Sequence, residues 1–320
     1  MRQNAYNPQS LQRPLRAAPR GRRPRDRMSG LLPALLLAAL LLVPAGCGDP
    51  GAPAAGGTGP GDAGSGGDGD SGGAVTPELE PHPDFTMTQT ELEALTADAP
   101  RAARAAVAEK PQYFLELAAH LLELPSVQLR LVDKDHALPA DAVPDDLVVL
   151  DRYAEVLTLN RSGLSLRAVL IPDLIAMVEA ARQDGILLPV SSTYRSYEYQ
   201  AGLFERHVEN LGEEQASRVS ARPGTSQHQL GTALDFGSIT LEFADTAAGK
   251  WLAAHAGDYG FSMSYPDGYE ELTGYSYEPW HFRWVGRTAT EMEAAFFDGL
   301  QQHMLEFWNE HEAELRRKLK

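Results

Sequence analysis

The stretch that decides the fold is Ser226-Gln227-His228-Gln229-Leu230-Gly231-Thr232-Ala233-Leu234-Asp235, and Phe236 follows it. Residues 232–236 read as a short strand, so Leu234 and Phe236 share one face and Asp235 lies on the other. Glycine residues at both ends of the preceding loop allow the backbone to turn back on itself. We therefore expect the loop to bring His228 beside Asp235, and both side chains are metal ligands in many proteins.

A third metal ligand is expected near the sequence Trp280-His281-Phe282-Arg283-Trp284. A catalytic zinc takes three protein ligands and keeps one position for water, so the first two ligands need another. The aromatic residues in this stretch recur at strand spacing, which places His281 and Arg283 on the opposite, more polar face. His281 is therefore the candidate for the third ligand.

Glu278 is the candidate general base. It precedes His281 by three residues, and Pro279 interrupts the strand ladder and favours a turn that brings Glu278 beside the metal. Each motif also has a simpler explanation: the spacing of His228 and Asp235 alone is weak evidence, and a Glu-x2-His segment next to tryptophans is often a packed strand end. The conjunction of the motifs favours the metal site.

A further group of polar residues, Tyr194-Arg195-Ser196, follows a predicted strand at 186–191. An amphipathic helix over 197–211 continues from it, and Gln200 lies near the start of that helix. Considered alone, Arg195 is better explained by a surface salt bridge than by a role in a site.

Taken together and in this order, the motifs resemble those of the VanY-type zinc D-alanyl-D-alanine carboxypeptidases, and the similarity runs from about residue 131 to 286. This resemblance implies an α+β fold, a small antiparallel sheet with helices packed on one side and one Zn²⁺ at the open face. It implies zinc ligands His228, Asp235 and His281, with Glu278 as the base. It also implies that Arg195 contacts the scissile carbonyl or the oxyanion and that Gln200 helps to shape the substrate pocket. Two further residues are candidates for substrate contact: Ser226 either anchors its loop or contacts substrate, and Trp280 either forms a wall of the pocket or packs in the core.

The resemblance implies removal of the terminal D-alanine from peptidoglycan stem peptides. Two alternatives stay open: an L,D-carboxypeptidase that acts on tetrapeptide stems, and a non-catalytic, zinc-stabilised cell-wall binding module. The presence of Glu278 and Arg195 argues against the binding module, because such a module needs neither group.

The N-terminal region predicts export. Residues 1–27 contain eight arginines and one acid, and a leucine-rich run that is short for a membrane span follows. Cys47, the only cysteine, follows small residues in a pattern that resembles a lipoprotein signal, so we expect a lipid-anchored protein of the bacterial cell envelope without disulfides. Removing residues 1–46 leaves 20 basic and 43 acidic residues, a formal net charge of −23, which argues against nucleic acid as a partner.

The predicted organisation has five segments. Residues 1–47 are the signal peptide, and residues 48–87 are a linker rich in Gly, Asp, Ser and Pro. A helical extension at 88–125 begins with a capping box, Thr88-x2-Glu91. The zinc carboxypeptidase domain occupies residues 126–290, and one long C-terminal helix packs on it from residue 291.

Overall fold

The computed structural model describes residues 80–320. The predicted signal peptide, Cys47 and all but the end of the predicted linker lie outside the described residues. The described part of the chain contains the following helices and strands: α1 (Gln89–Leu95), α2 (Arg101–Glu109), α3 (Pro111–Leu122), β1 (Leu147–Val149), β2 (Ser165–Arg167), α4 (Ile171–Gln183), β3 (Val190–Ser192), α5 (Tyr197–Leu211), α6 (Glu213–Val219), β4 (Ala233–Phe236), α7 (Ala247–His255), β5 (Phe261–Met263), α8 (Glu270–Thr273), β6 (His281–Trp284), α9 (Arg287–Phe296) and α10 (Gln301–Lys318).

Four short strands form the sheet that carries the site, in the order β3-β4-β6-β5, with every neighbouring pair antiparallel. β4 and β6 are the two central strands, and their register places Asp235 opposite His281. β1 and β2 form a separate antiparallel pair. The predicted α+β class with a small antiparallel sheet is confirmed.

One hydrophobic core lies between the sheet and the helices α4 and α7. Leu234, Phe236, Phe282 and Trp284 are all buried in it, as the alternation of β4 and β6 requires. Each fully buried side chain of this size stabilises the fold by about 1.5–3 kcal/mol. The opposite face of the same two strands is thereby left for polar side chains.

A second hydrophobic core joins the N-terminal helices to the C-terminal ones. Phe114 of α3 lies at its centre, with its ring 5.2 Å from the ring of Phe296 in α9 and 5.7 Å from that of Phe307 in α10. The predicted capping box at the start of α1 is present: the Glu91 amide donates to the Thr88 hydroxyl, and the Thr88 amide donates to the Glu91 carboxylate. The two terminal segments therefore form one helical layer.

Some predicted elements were wrong. The single long C-terminal helix is interrupted between α9 and α10, where Asp298 and Gly299 adopt left-handed backbone angles, φ 53° and 71°. The predicted strand at 186–191 is shorter in the structure, where it is β3, Val190–Ser192. Helix α2 lies within the helical extension predicted at 88–125, but it was not predicted as a separate helix. Arg283 lies on the predicted face of β6, opposite Phe282 and Trp284, but it is fully buried there and donates to the backbone carbonyls of Gln128 and Arg130.

Within residues 80–320, no helix combines the length and the apolar character that crossing a membrane requires.

Candidate metal centre and active site

Three different local structures present the predicted metal ligands. His228 lies in a single 3-10 turn, Gln227–Leu230, which ends at Gly231 with φ 71°. Asp235 lies within β4, and His281 is the first residue of β6. A side chain at Gly231 would be strained, because residues other than glycine rarely adopt this backbone angle. The turn and the strand register together bring the three ligands to one face of the sheet.

The three ligand side chains converge on a small buried volume. Asp235 Oδ1 lies 3.3 Å from His228 Nε2 and 3.2 Å from His281 Nδ1, and one donor atom from each residue lies within 4.8 Å of the others. The two imidazole rings meet edge to face, with their centroids 4.9 Å apart. All three side chains are nearly inaccessible to solvent. The predicted cluster of His228, Asp235 and His281 is thus assembled in the fold.

The three side chains fit a metal cation because the atoms that face each other offer lone pairs and not protons. The Nδ1 atom of His228 lies 2.8 Å from the carbonyl oxygen of Thr193, which can only accept, so Nδ1 carries the proton and Nε2 is bare. Burial is the main cause that lowers the pKa of His228 to about 4, so its ring is neutral near pH 7. His228 Nε2 and Asp235 Oδ1 are both buried without a hydrogen-bond donor. The two atoms lie 3.3 Å apart, close enough to share one cation, and two histidines with one carboxylate suit Zn²⁺.

Arg195 contacts the other oxygen of Asp235. Its Nη2 donates to Asp235 Oδ2 at 2.7 Å, and Nε and Nη2 both donate to the hydroxyl of Ser192. Burial opposes ionisation of Asp235, but its polar contacts, among them the guanidinium of Arg195, outweigh that effect and hold the pKa of Asp235 well below the usual range. The carboxylate is therefore charged and fixed in orientation. Arg195 is bonded within the site, in contrast to a surface salt bridge.

Glu278 lies beside the ligands because the chain turns at Pro279. The amide of His281 donates to the carbonyl of Glu278, and Glu278 Oε2 lies 3.6 Å from His281 Nδ1. Burial and the charge of Asp235 raise the pKa of Glu278 to about 8, although Arg195 lowers it. A cation bound at the three ligands would favour the ionised carboxylate of Glu278.

A cavity of about 450 Å³ opens onto this cluster. Ser226 and Trp280, both predicted to contact substrate, line it together with Arg195, Glu278 and the three ligands. Gln200 is not among its lining residues: it is 1% exposed, and its Nε2 donates to the carbonyl of Ala221 at 2.7 Å. Gln200 therefore supports the wall that Ala221 forms, and the geometry does not place it against a ligand in the cavity.

Two tyrosines in the cavity wall were missed from the sequence. Tyr265 follows β5, and its ring centroid lies 4.8 Å from that of His281 and from that of Tyr275. Burial raises the pKa of Tyr265 well above its usual range and that of Tyr275 to about 12, so both remain neutral. Both stand close to the stretch around Glu278, but nothing in their spacing indicated that they face the ligands.

A buried three-ligand cluster with a carboxylate and a guanidinium beside it, open to a peptide-sized cavity, is the arrangement of a metallopeptidase. The comparisons with known proteins agree with this class. The sequence model of the VanY family, described as D-alanyl-D-alanine carboxypeptidase, matches residues 163–287.

Individual relatives support the same assignment. YodJ of Bacillus subtilis is 35% identical over 192 residues, which cover 57% of this chain and 70% of YodJ. VanXYC of Enterococcus gallinarum, named a bifunctional D-Ala-D-Ala dipeptidase and D-Ala-D-Ala carboxypeptidase, is 32% identical over 171 residues, 49% of this chain and 83% of VanXYC. The solved structure of the LdcB LD-carboxypeptidase is 32% identical with a TM-score of 0.50, covering 60% of this chain and 87% of LdcB. The chain belongs to the VanY family.

Proposed function

We propose that this protein is a zinc-dependent carboxypeptidase that removes the terminal D-alanine from peptidoglycan stem peptides. One observation carries the proposal: three possible metal-ligand atoms converge at the cavity, with Glu278 and Arg195 beside them. His228, Asp235 and His281 would hold the ion. A zinc ion held there supplies a Lewis acid that polarises the scissile carbonyl and makes water more acidic.

Glu278 is proposed as the general base. Its carboxylate would take a proton from the attacking water and then give that proton to the leaving amine. Its burial favours this cycle, because a carboxyl with a raised pKa holds a transferred proton better than an exposed one. No serine or cysteine nucleophile is required.

Arg195 is proposed to stabilise the negative charge that develops on the carbonyl oxygen of the substrate. Its Nε and Nη2 atoms are bonded to Ser192 and Asp235, and Nη1 has no protein acceptor among residues 80–320. The guanidinium is therefore held by Ser192 and Asp235, and Arg195 is one of the residues that line the cavity. Ser226 and Trp280 would contact the substrate from the walls.

A second candidate activity is cleavage of tetrapeptide stems between an L- and a D-residue. The similarity to LdcB, an LD-carboxypeptidase described as recognising peptidoglycan, favours it. Both activities use the same ligands and the same base, so they differ only in the peptide that the cavity accepts. Action on peptidoglycan agrees with the predicted export and with a lipid anchor at Cys47, and both of these remain predictions.

The test is release of amino acids from synthetic pentapeptide and tetrapeptide stems by the purified protein with added zinc. We expect D-alanine from the pentapeptide and a loss of at least about 100-fold in kcat for Glu278→Gln. Glu271→Gln, at an exposed position in α8, is the matched control and should keep the wild-type rate. Release from the tetrapeptide alone would select the L,D activity. Stoichiometric zinc binding without release from either peptide would leave a non-catalytic binding module.

A further inference from the structure

A chain of buried amide and hydroxyl groups connects His281 to the C-terminal helix. His281 Nε2, the ring nitrogen that faces away from Asp235, lies 3.3 Å from Gln227 Oε1. Gln227 Nε2 in turn donates to Gln301 Oε1 at 3.2 Å. Gln301 Nε2 donates to the backbone carbonyl of Ser262 at 3.3 Å. Gln227 and Gln301 are each 2% exposed, so water does not compete for these bonds.

We infer that Gln301, the first residue of α10, is a positioning residue that acts through Gln227 to keep the proton of His281 on Nε2 and Nδ1 free for the metal. This inference rests on the proposed function only in taking His281 as a metal ligand. Gln301 lies beyond residues 163–287, the part of the chain that matches the family.

The direction of each hydrogen bond in this series, that is, which atom donates and which accepts, follows from the chemistry of the groups. The carbonyl of Ser262 can only accept, so the amide of Gln301 must turn its NH2 group toward that carbonyl and its oxygen toward Gln227. Gln227 must then present its NH2 group to Gln301 and its oxygen to His281. The imidazole must donate to that oxygen, so Nε2 carries the proton.

The opposite orientation brings acceptors together. If the amide of Gln227 were reversed, its oxygen would face the oxygen of Gln301 at 3.2 Å and lose the proton that Ser264 Oγ donates at 2.7 Å. The NH2 group would then face His281 Nε2, which would have to accept and would shift the ring proton to Nδ1. Nδ1 is the atom 3.2 Å from Asp235 Oδ1, so this tautomer cannot bind a metal there.

The closing experiment measures zinc affinity and the His281 tautomer, and neither readout needs a substrate. Gln301→Met keeps the length of the side chain and removes its polar atoms. Gln302→Met is the matched control. Gln302 is the next residue of α10 and is 7% exposed, and its Nε2 donates to Asp133 and Glu306, so it takes no part in the hydrogen bonds that lead to His281. Because groups that orient ligands typically contribute about 10- to 100-fold to metal affinity, Gln301→Met should raise the Kd for Zn²⁺ by that factor.

Competition with a chromophoric chelator gives the Kd. Histidine ¹⁵N–¹H correlation spectra of the metal-free protein give the tautomer, with the His281 signals assigned from His281→Asn. We expect Nε2–H alone in the wild type and in Gln302→Met, and a mixture of tautomers in Gln301→Met. If Gln301→Met does not fold, Gln227→Met tests the same chain at its contact with His281.

A folded Gln301→Met protein with the wild-type Kd and tautomer would overturn the inference, and so would an equal loss of affinity in Gln302→Met. A different result would refute the proposed function. A wild-type protein that releases no amino acid but loses zinc affinity through Gln301→Met would refute the peptidase and leave the positioning role intact.

Discussion

The burial of Glu293 predicts how the free energy of unfolding of this protein depends on pH. It lies in α9, is 6% exposed, accepts a hydrogen bond from Ser262 Oγ at 2.6 Å on Oε1 and has no donor to Oε2. Burial raises the pKa of Glu293 from 4.5 to about 8, although the bond from Ser262 lowers it. The folded protein therefore holds a proton on Glu293 at neutral pH that the unfolded chain releases.

The sign of the effect follows from this difference in proton binding. Below pH 4.5 the folded and unfolded states both hold the proton, so the ionisation of Glu293 does not change the free energy of unfolding. Between pH 4.5 and about 8 the free energy of unfolding falls as pH rises, and above that range it is constant. Each pH unit in the window costs about 1.4 kcal/mol, so the penalty near pH 7 is about 3 kcal/mol. Glu293→Gln keeps an acceptor for Ser262 and removes the ionisation. The variant should match the wild type near pH 4 and exceed its stability by about 3 kcal/mol near pH 7.

Urea unfolding followed by circular dichroism at several pH values between 4 and 8 measures this difference. Loss of zinc at low pH affects both proteins equally and cancels in the comparison. Glu109→Gln, at an exposed position at the end of α2, is the control and should follow the wild-type curve. A stability difference between Glu293→Gln and the wild type that stays constant across the pH range would refute the reasoning.

Three further predictions concern the site and its support. Arg195→Ala should lower kcat by about 100-fold at saturating zinc, because the developing oxyanion loses its donor; an unchanged kcat would contradict that role. Asp235→Asn should abolish stoichiometric zinc binding in a chelator competition, since an amide is a much weaker ligand than a buried carboxylate; wild-type affinity would rule out Asp235 as a ligand. Gly237→Ala should lower the free energy of unfolding by about 1–3 kcal/mol in urea, because a Cβ there would lie 2.2 Å from Phe243 Cε2 and the residue has φ 61°; unchanged stability would show that Phe243 moves aside.

The ligands of the site were predictable because their signals are local. The alternation in β4 fixes which side of the sheet Asp235 faces, the glycine-bounded loop returns His228 to that side, and Pro279 makes the turn that brings Glu278 beside His281. The pairing of Asp235 with His281 depends on strand register, which the sequence of either strand alone does not specify.

The errors have physical reasons of two kinds. The break between α9 and α10 lies at Asp298-Gly299, a turn dipeptide that the strong amphipathic pattern on both sides concealed. Helix α2 has few large apolar residues, so its periodicity was weak, and its contacts with α3 and α9 make the helix favourable. The position of Gln200 outside the cavity lining was not predictable, because a buried glutamine that donates to a backbone carbonyl has the same sequence signal as one that faces a ligand.

Buried hydrogen bonds connect the helices α9 and α10 to the site. Ser262 contacts both sides: its hydroxyl donates to Glu293 in α9, and its carbonyl accepts from Gln301 in α10. Burying an amide is costly unless its polar atoms find partners, and Gln301 of α10 finds them in Ser262 and in Gln227, which contacts His281. The helices beyond residue 287 therefore supply the polar contact that orients a metal ligand in addition to apolar surface. A chain shortened to the family-matched residues would lose that orientation even if its sheet still formed.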